Sequence, residues 1–283
     1  MLWLNPMPLE SDLWKAYRNY YTHEAGAEGD CESARGTIGT AMQVIKRAYV
    51  GAHLRYADHP IGRRDWLLGA MAYLDPSRRA DTDFPLKYLP IEHRGRLLDL
   101  GCGSGDLLGV MTRLGWQVEG VDNDPEAVEV ARRNGFEVRM GSLHEQRFPD
   151  ASFDAVVMSH IIEHVHHPLE LLTEVHRILK PERRLVMATP NAHSLGHRML
   201  GARWPLLDPP RHLQVFTPRA LEALVRAAGF NDVVVSTEVR TAAAMCSLIG
   251  KPAILARLLV GAENLALHID RDAGEEIALV AVR

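Results

Sequence analysis

The sequence predicts an α/β protein: a doubly wound, mostly parallel seven-stranded sheet with a helical N-terminal cap and an inserted helical lid. Three observations predict it. From Arg96 onward, short apolar runs alternate with amphipathic stretches of helical period. The first of these runs ends in a glycine-rich turn, Asp99-Leu100-Gly101-Cys102-Gly103-Ser104-Gly105. The second ends in an acid, Asp122, at the sheet edge where open α/β folds meet their ligands.

The elements follow in order. RLLDL is a continuous apolar run and reads as a buried parallel strand. SGDLLGVMTRLG is the helix after it, stopped by Gly115. WQVEGVD is the second strand. DPEAVEVARRNG is its helix, with Asp124 as N-cap and Pro125 in the first helical position. FEVRMGS and FDAVVMSH are the third and fourth strands. HPLELLTEVHRILKP is a helix closed by Pro181, and RLVMATPN the fifth strand. TPRALEALVRAAGF is a helix capped by Thr217 and stopped by Gly229. NDVVVSTEV and EEIALVAV complete the seven strands.

Residues 1–92 read differently. SDLWKAYRNYYTHEAG, ARGTIGTAMQVIKRAYVGAHL and RRDWLLGAMAYL are helical patterns without strand alternation, and Pro85 and Pro90 mark a linker. The expected division is a cap over 1–92 and a cofactor-binding catalytic domain over 93–283. Two insertions are expected in that domain, near 192–215 and 241–274.

Composition narrows the function. The chain has 283 residues, 47% hydrophobic and 24% charged, which is ordinary for a globular protein and excludes a disordered one. Its net charge of −4 disfavours a dedicated nucleic-acid binder. Three cysteines, Cys31, Cys102 and Cys246, make neither a disulfide framework nor a zinc site and fit a cytoplasmic protein. MLWLNPMPLESD lacks the basic and apolar regions of a signal peptide, and no apolar stretch is expected to span a membrane.

The glycines let the first turn bend sharply and let a ligand approach the backbone. Asp122 is placed to accept from two ribose hydroxyls. Dinucleotides and S-adenosylmethionine both fit such a turn. Asp106 stands where a dinucleotide loop expects its third glycine, and its charge opposes a pyrophosphate at that helix N-terminus. Asp99 likewise suits the ammonium and sulfonium of a methionine cation better than a diphosphate.

With these residues in view, the chain resembles the class I S-adenosylmethionine-dependent methyltransferases from about Arg94 to Arg283. LLDLGCGSGDLL looks like their first motif and VEGVDNDPEAV their second. FPDASFDAVVMSHIIEHVHHP looks like the segment through their fourth strand, and ILKPERRLVMATPN like the approach to the fifth. The resemblance implies that Asp99, Gly101, Cys102, Gly103 and Gly105 line the methionine part of the cofactor. It implies Asp122 at the ribose, with Asn123, Gly141, Ser142 and Leu143 around the adenine. It also implies Ser159 and His160 beside the methyl group. The family often carries an acid where Ser142 stands, and a Gly-Gly pair where this chain has Glu182-Arg183.

Methyl transfer is an in-line displacement from an activated donor, so orientation supplies much of the rate, about 7–11 kcal/mol in the best oriented systems. A hydroxyl acceptor also benefits from a base, and histidine has the right pKa. Of 14 histidines, His160, His164, His166 and His167 crowd the end of the fourth strand, and His193, His197 and His212 fall in or near the insertion. His160 and His212 are the candidates for a base or an acceptor-orienting pair.

Glu163, His164 and His212 are also similar to the ligands of metal-dependent RNA 2′-O-methyltransferases, and loosely to those of ubiquinone-pathway O-methyltransferases. In the RNA enzymes a Glu stands where this chain has His160. A carboxylate with two imidazoles is a set that holds a divalent ion. The PPRHLQVFTP and YYTH segments resemble a bacterial subgroup acting on sugars, quinones, lipids or secondary metabolites. Tyr20, Tyr21 and His23 are then expected on a helix closing over the cofactor.

The expected activity is transfer of methyl from S-adenosylmethionine to an oxygen of a small molecule, leaving S-adenosylhomocysteine; nitrogen or carbon acceptors rank below. The alternatives are metal-assisted methylation of RNA, a non-catalytic S-adenosylmethionine-binding protein and, more distantly, an NAD-dependent oxidoreductase. The apolar 241–274 insertion is expected to be a lid or a homodimer contact.

Overall fold

A computed structural model describes residues 1–9, 12, 15, 37–56, 61–74, 76–239 and 261–283. The expected first helix, with Tyr20, Tyr21 and His23, lies outside the described residues. So does most of the 241–274 insertion.

The sheet has seven strands. In chain order its strands are β2 (Arg96–Leu100), β3 (Gln117–Asp122), β4 (Val138–Met140), β5 (Phe153–Ser159), β6 (Leu179–Pro190), β8 (Asn231–Glu238) and β9 (Glu276–Val282). A further short strand, β1 (Leu2–Trp3), pairs antiparallel with β7 (Gln214–Val215) apart from that sheet. The spatial order is β4-β3-β2-β5-β6-β9-β8. All neighbours are parallel except β9, which runs antiparallel to both β6 and β8. The seven strands and mostly parallel sense are those the sequence predicts.

The order reverses between β2 and β5, so the chain leaves β2 toward β3 and later returns to its other side. Leu100 is level with Val121 and with Met158. The carboxyl ends of three strands therefore open on one crevice, the usual ligand position in such sheets. β2 and β5 are buried along almost their whole length, as strands covered on both faces must be.

Helix starts follow the local chemistry. α4 (Asp106–Arg113) opens directly from Gly105. α5 (Pro125–Arg133) is capped by Asp124, whose carboxylate accepts from the Glu126 and Ala127 amides. α8 (Pro218–Ala227) is capped by Thr217 accepting from Ala220 N at 3.3 Å. α6 (Pro168–Ile178) ends earlier than the sequence pattern implies. Leu179 already pairs with Phe153, and the register then jumps to Ala155 opposite Arg184. Residues 180–183 bulge between these pairs, so Pro181 lies inside the strand rather than closing the helix.

Each face of the sheet has its own core. α6 and α8 cover one face with Leu172, Val175, Leu221 and Val225 against Val156, Met158 and Met187. The N-terminal region covers the other, with Tyr56, Phe84, Leu86 and Leu89 against Leu97, Ala155, Val157 and Val186. α1 (Thr37–Ala52) and α3 (Pro76–Asp83) are tied by Tyr49 Oη donating to Asp83 at 2.6 Å. α2 (Arg63–Ala70) continues as a 3₁₀ turn, Met71–Leu74. Residues 192–215 hold α7 (Leu195–Leu200), two 3₁₀ turns and β7. Among the described residues no helix is long and apolar enough to cross a membrane.

Candidate active site

The turn after β2 forms one wall. Gly101 has φ +76°, and its amide donates to Val121 O at 2.7 Å. A Cβ at Gly101 would lie 1.9 Å from Ile161 Cδ1, so the turn passes against the segment after β5 with no room for a side chain. Gly103 differs: it also has positive φ, but open space lies where its Cβ would be.

Asp122 holds this turn in place. Its Oδ2 accepts from Gly103 N at 2.8 Å and its Oδ1 from Asp124 N at 2.9 Å. Burial raises its pKa, and the backbone donors from Asp124 and Gly103 work against that rise. Both oxygens keep lone pairs for further donors. Asp99 is buried beneath the turn. Burial, and then the Asp122 charge, push its pKa up to about 7.

Three other expected cofactor residues turn their side chains elsewhere. The Cys102 thiol packs with Leu108, Val128 and Val138, where burial raises its pKa. Leu143 is buried with Leu100 and Phe148. Ser142 is tied to Glu145, whose Oε2 accepts from Ser142 N at 2.6 Å and Oγ at 2.9 Å. Cys102 and Leu143 are thus left with backbone atoms alone to face a ligand. Gly141 N donates to Asp122 O at 3.0 Å, which brings the 141–143 turn against the end of β3. Asn123 is exposed at the same edge.

The second wall begins where β5 ends, at Ser159. His160 takes a left-handed conformation, φ +55°, unusual for a residue with a side chain. Its Nε2 lies 3.0 Å from Glu276 Oε1 and its Nδ1 3.2 Å from Glu163 Oε1. Burial alone would lower its pKa; the two carboxylates override it and raise it to about 10. Both ring nitrogens face buried carboxylates, an arrangement that favours the protonated ring, in which neither nitrogen keeps a lone pair.

Glu163 lies in the 3₁₀ turn Ile162–His164 and is fully buried. Its Oε2 accepts from Thr189 Oγ1 at 2.9 Å. Its Oε1 meets His160 as an ion pair but makes no well-formed hydrogen bond. Its backbone oxygen accepts from Leu213 N at 2.8 Å, which seats the 192–215 insertion against this turn.

That contact brings His212 to His164. Their rings meet edge to face with centroids 4.7 Å apart. His164 Nδ1 lies 3.1 Å from Arg211 O, and His212 Nδ1 lies 2.7 Å from Leu206 O. A carbonyl only accepts, so Nδ1 carries a hydrogen in both rings, and in a neutral ring Nε2 then carries the lone pair. Burial lowers the pKa of His212 and keeps it neutral. One ligand atom from each of Glu163, His164 and His212 lies within 4.8 Å of the others.

Four other described histidines stay out of this group. His166 Nε2 lies 2.9 Å from Pro8 O and pins the N-terminus. His197 Nδ1 lies 2.7 Å from Ala192 O, with its ring against Trp204. His167 begins α6 without a side-chain cap bond, and His193 is exposed. Sequence reasoning missed Glu276 and Thr189. The signal for Glu276 was present: Glu275-Glu276 stands directly before the apolar run of the last strand.

The methyltransferase domain family matches residues 75–235 of the chain. The ubiquinone biosynthesis O-methyltransferase of Cereibacter sphaeroides (strain ATCC 17025 / ATH 2.4.3) is 33% identical over 174 residues, 57% of this chain and 70% of that protein. The protein of the same name from Xanthomonas oryzae pv. oryzae is 40% identical over 103 residues, 34% of this chain and 43% of that protein. Among solved structures, an S-adenosylmethionine-dependent methyltransferase from Archaeoglobus fulgidus has a TM-score of 0.53. It is 22% identical, covering 72% of this chain and 92% of that one, a likeness of fold.

Proposed function

Since the chain belongs to the S-adenosylmethionine-dependent methyltransferases, we propose that it methylates a hydroxyl oxygen of a small molecule with His212 as the general base. S-adenosylmethionine supplies the methyl group. The turn at Gly101, Gly103 and Gly105 would seat its methionine part, Asp122 the ribose, and the 141–143 turn with Asn123 the adenine. Ser159 would border the methyl group.

The observation that carries this reading is the state of His212. Burial favours its neutral form, its Nδ1 hydrogen is committed to Leu206 O, its ring packs on His164 in the turn after β5, and its Nε2 lies 3.9 Å from Asp208 Oδ2. That nitrogen takes the acceptor's hydroxyl proton. The oxygen attacks the methyl carbon, the carbon–sulfur bond breaks, and its electron pair stays on sulfur as S-adenosylhomocysteine forms. Such a base contributes about 10²–10⁴-fold. The oxygen acceptor is supported by the names of the relatives, and an RNA acceptor is disfavoured by the net charge of −4.

A second reading assigns Glu163, His164 and His212 to a divalent metal ion. It is favoured by the buried Glu163 Oε1, which lacks a hydrogen bond, and by two imidazoles that each commit Nδ1 to a backbone carbonyl. That outer-shell pattern is typical of metal-bound histidine. A bound ion would lower the pKa of the acceptor hydroxyl.

The test is calorimetric binding of S-adenosylmethionine, followed by mass-spectrometric detection of methylated phenol and catechol with and without EDTA. Binding with turnover on a hydroxyl supports the proposal. Loss of turnover in EDTA, restored by Mg²⁺ or Zn²⁺, moves His212 from base to ligand. Failure to bind the cofactor, or transfer to amines alone, overturns the proposal.

A further inference from the structure

Helix α2 presents its apolar side to solvent. Its inward side is cut back to glycine. A Cβ at Gly69 would come within 2.7 Å of the His53 ring and 3.0 Å of Ala48 O, so α1 and α2 meet almost backbone to backbone. Asp65, the single acid between Ile61 and Leu74, turns back to accept from Gly62 N at 3.2 Å.

The outward side carries the large apolar residues. Trp66 is 54% exposed, Leu67 55%, Met71 46% and Leu74 81%. Arg63, Leu67, Met71 and Leu74 recur at i, i+4, i+8 and i+11, which places them on one stripe. Ile61 is exposed just before the helix. The Trp66 ring is propped against His53, with centroids 5.4 Å apart, so it does not fold back into the core. Arg63 and Arg64 are exposed in the first turn. A helix of this kind normally buries such a stripe, and an exposed one marks an interaction surface.

We propose that this face of α2 docks the protein on an anionic membrane surface, its apolar stripe entering the boundary between headgroups and acyl chains. Trp and Leu on one face with flanking Arg is the composition of helices that lie in that boundary. The charge pattern selects the occupant. Two copies of the chain meeting on this face would bring arginines together with no exposed acid on α2 to pair them. Anionic headgroups offer phosphate to Arg63 and Arg64, and the acyl region takes Leu67, Met71 and Leu74. The docking is independent of the acceptor's identity.

The test is flotation of the full chain with vesicles of phosphatidylcholine alone and of phosphatidylcholine with 30% phosphatidylglycerol. Binding is expected to the anionic vesicles and to fall at least tenfold in Leu67→Asp/Leu74→Asp. Arg63→Glu/Arg64→Glu is expected to abolish the preference for phosphatidylglycerol. These side chains are exposed, and unchanged S-adenosylmethionine binding by the variants shows that they fold. Wild-type protein that stays off anionic vesicles, or variants that float as wild type does, overturns the proposal. So does a wild-type dimer in sedimentation velocity that Leu67→Asp/Leu74→Asp converts to monomer, because the face then belongs to a second copy.

Discussion

His160 closes the fourth strand in chain order of the parallel sheet with its Nε2 3.0 Å from the carboxylate of Glu276, the residue that opens the last strand. With Glu163 on its other nitrogen, the ring lies between two buried carboxylates, which favour its cationic form. His160→Gln removes that cation and leaves both carboxylates without it. The expected cost is about 3 kcal/mol, the low end for a broken buried pair because the ring keeps some solvent contact. Chemical denaturation measures it. A change below about 0.5 kcal/mol would show that the clamp contributes nothing.

His212→Gln keeps a polar side chain but removes the basic nitrogen. Turnover is expected to fall by about 10²–10⁴ while the dissociation constant for S-adenosylmethionine stays the same. Calorimetry alongside a product assay separates the two. Equal loss of both would make His212 a structural residue.

Asp99 is expected to make cofactor binding depend on pH. Its pKa of about 7 means that a cationic ligand must bind the ionised form and displace the proton. Affinity for S-adenosylmethionine is therefore expected to rise about tenfold from pH 6 to pH 8, following the ionised fraction. Asp99→Asn should flatten that profile. For the ligand-free protein the sign is opposite. The fold holds this proton more tightly than the unfolded chain, so stability falls as pH rises from about 4 toward 7.

Glu263 and Glu275 form a buried carboxyl pair. Glu275 Oε1 accepts from Gly196 N and its Oε2 from Trp204 Nε1, both at 2.7 Å. Burial, and then Glu275, push Glu263 up to about 9, so Glu263 is the partner that keeps its proton. Its raised pKa gives stability that is lost as pH rises through about 9. Glu263→Gln should weaken this alkaline loss, as read from melting temperatures between pH 7 and 10.

Asp122→Ala removes the acceptor for Gly103 N and Asp124 N together. S-adenosylmethionine affinity should fall at least tenfold, since the turn loses its support as well as the proposed ribose partner. Unaltered affinity in calorimetry would separate Asp122 from the cofactor.

Much of the architecture was written locally. The buried runs at β2 and β5, the Asp124 and Thr217 caps and the positive-φ glycines are set by neighbours within a few residues, and periodicity reports them. The glycine turn and Asp122 were legible for the same reason. Other features depend on residues far apart in sequence. Glu276 lies 116 positions from His160, and Glu163 lies 26 from Thr189. His212 and His164 meet because Leu213 N bonds Glu163 O, and their tautomers are fixed by the carbonyls of Leu206 and Arg211. The sequence by itself determined a methyltransferase sheet with histidines at its carboxyl edge. Only the tertiary structure set His160 between two carboxylates and His212 between His164 and the Leu206 carbonyl. The reason is that a ring's protonation depends on what surrounds it, and those surroundings come from other parts of the chain.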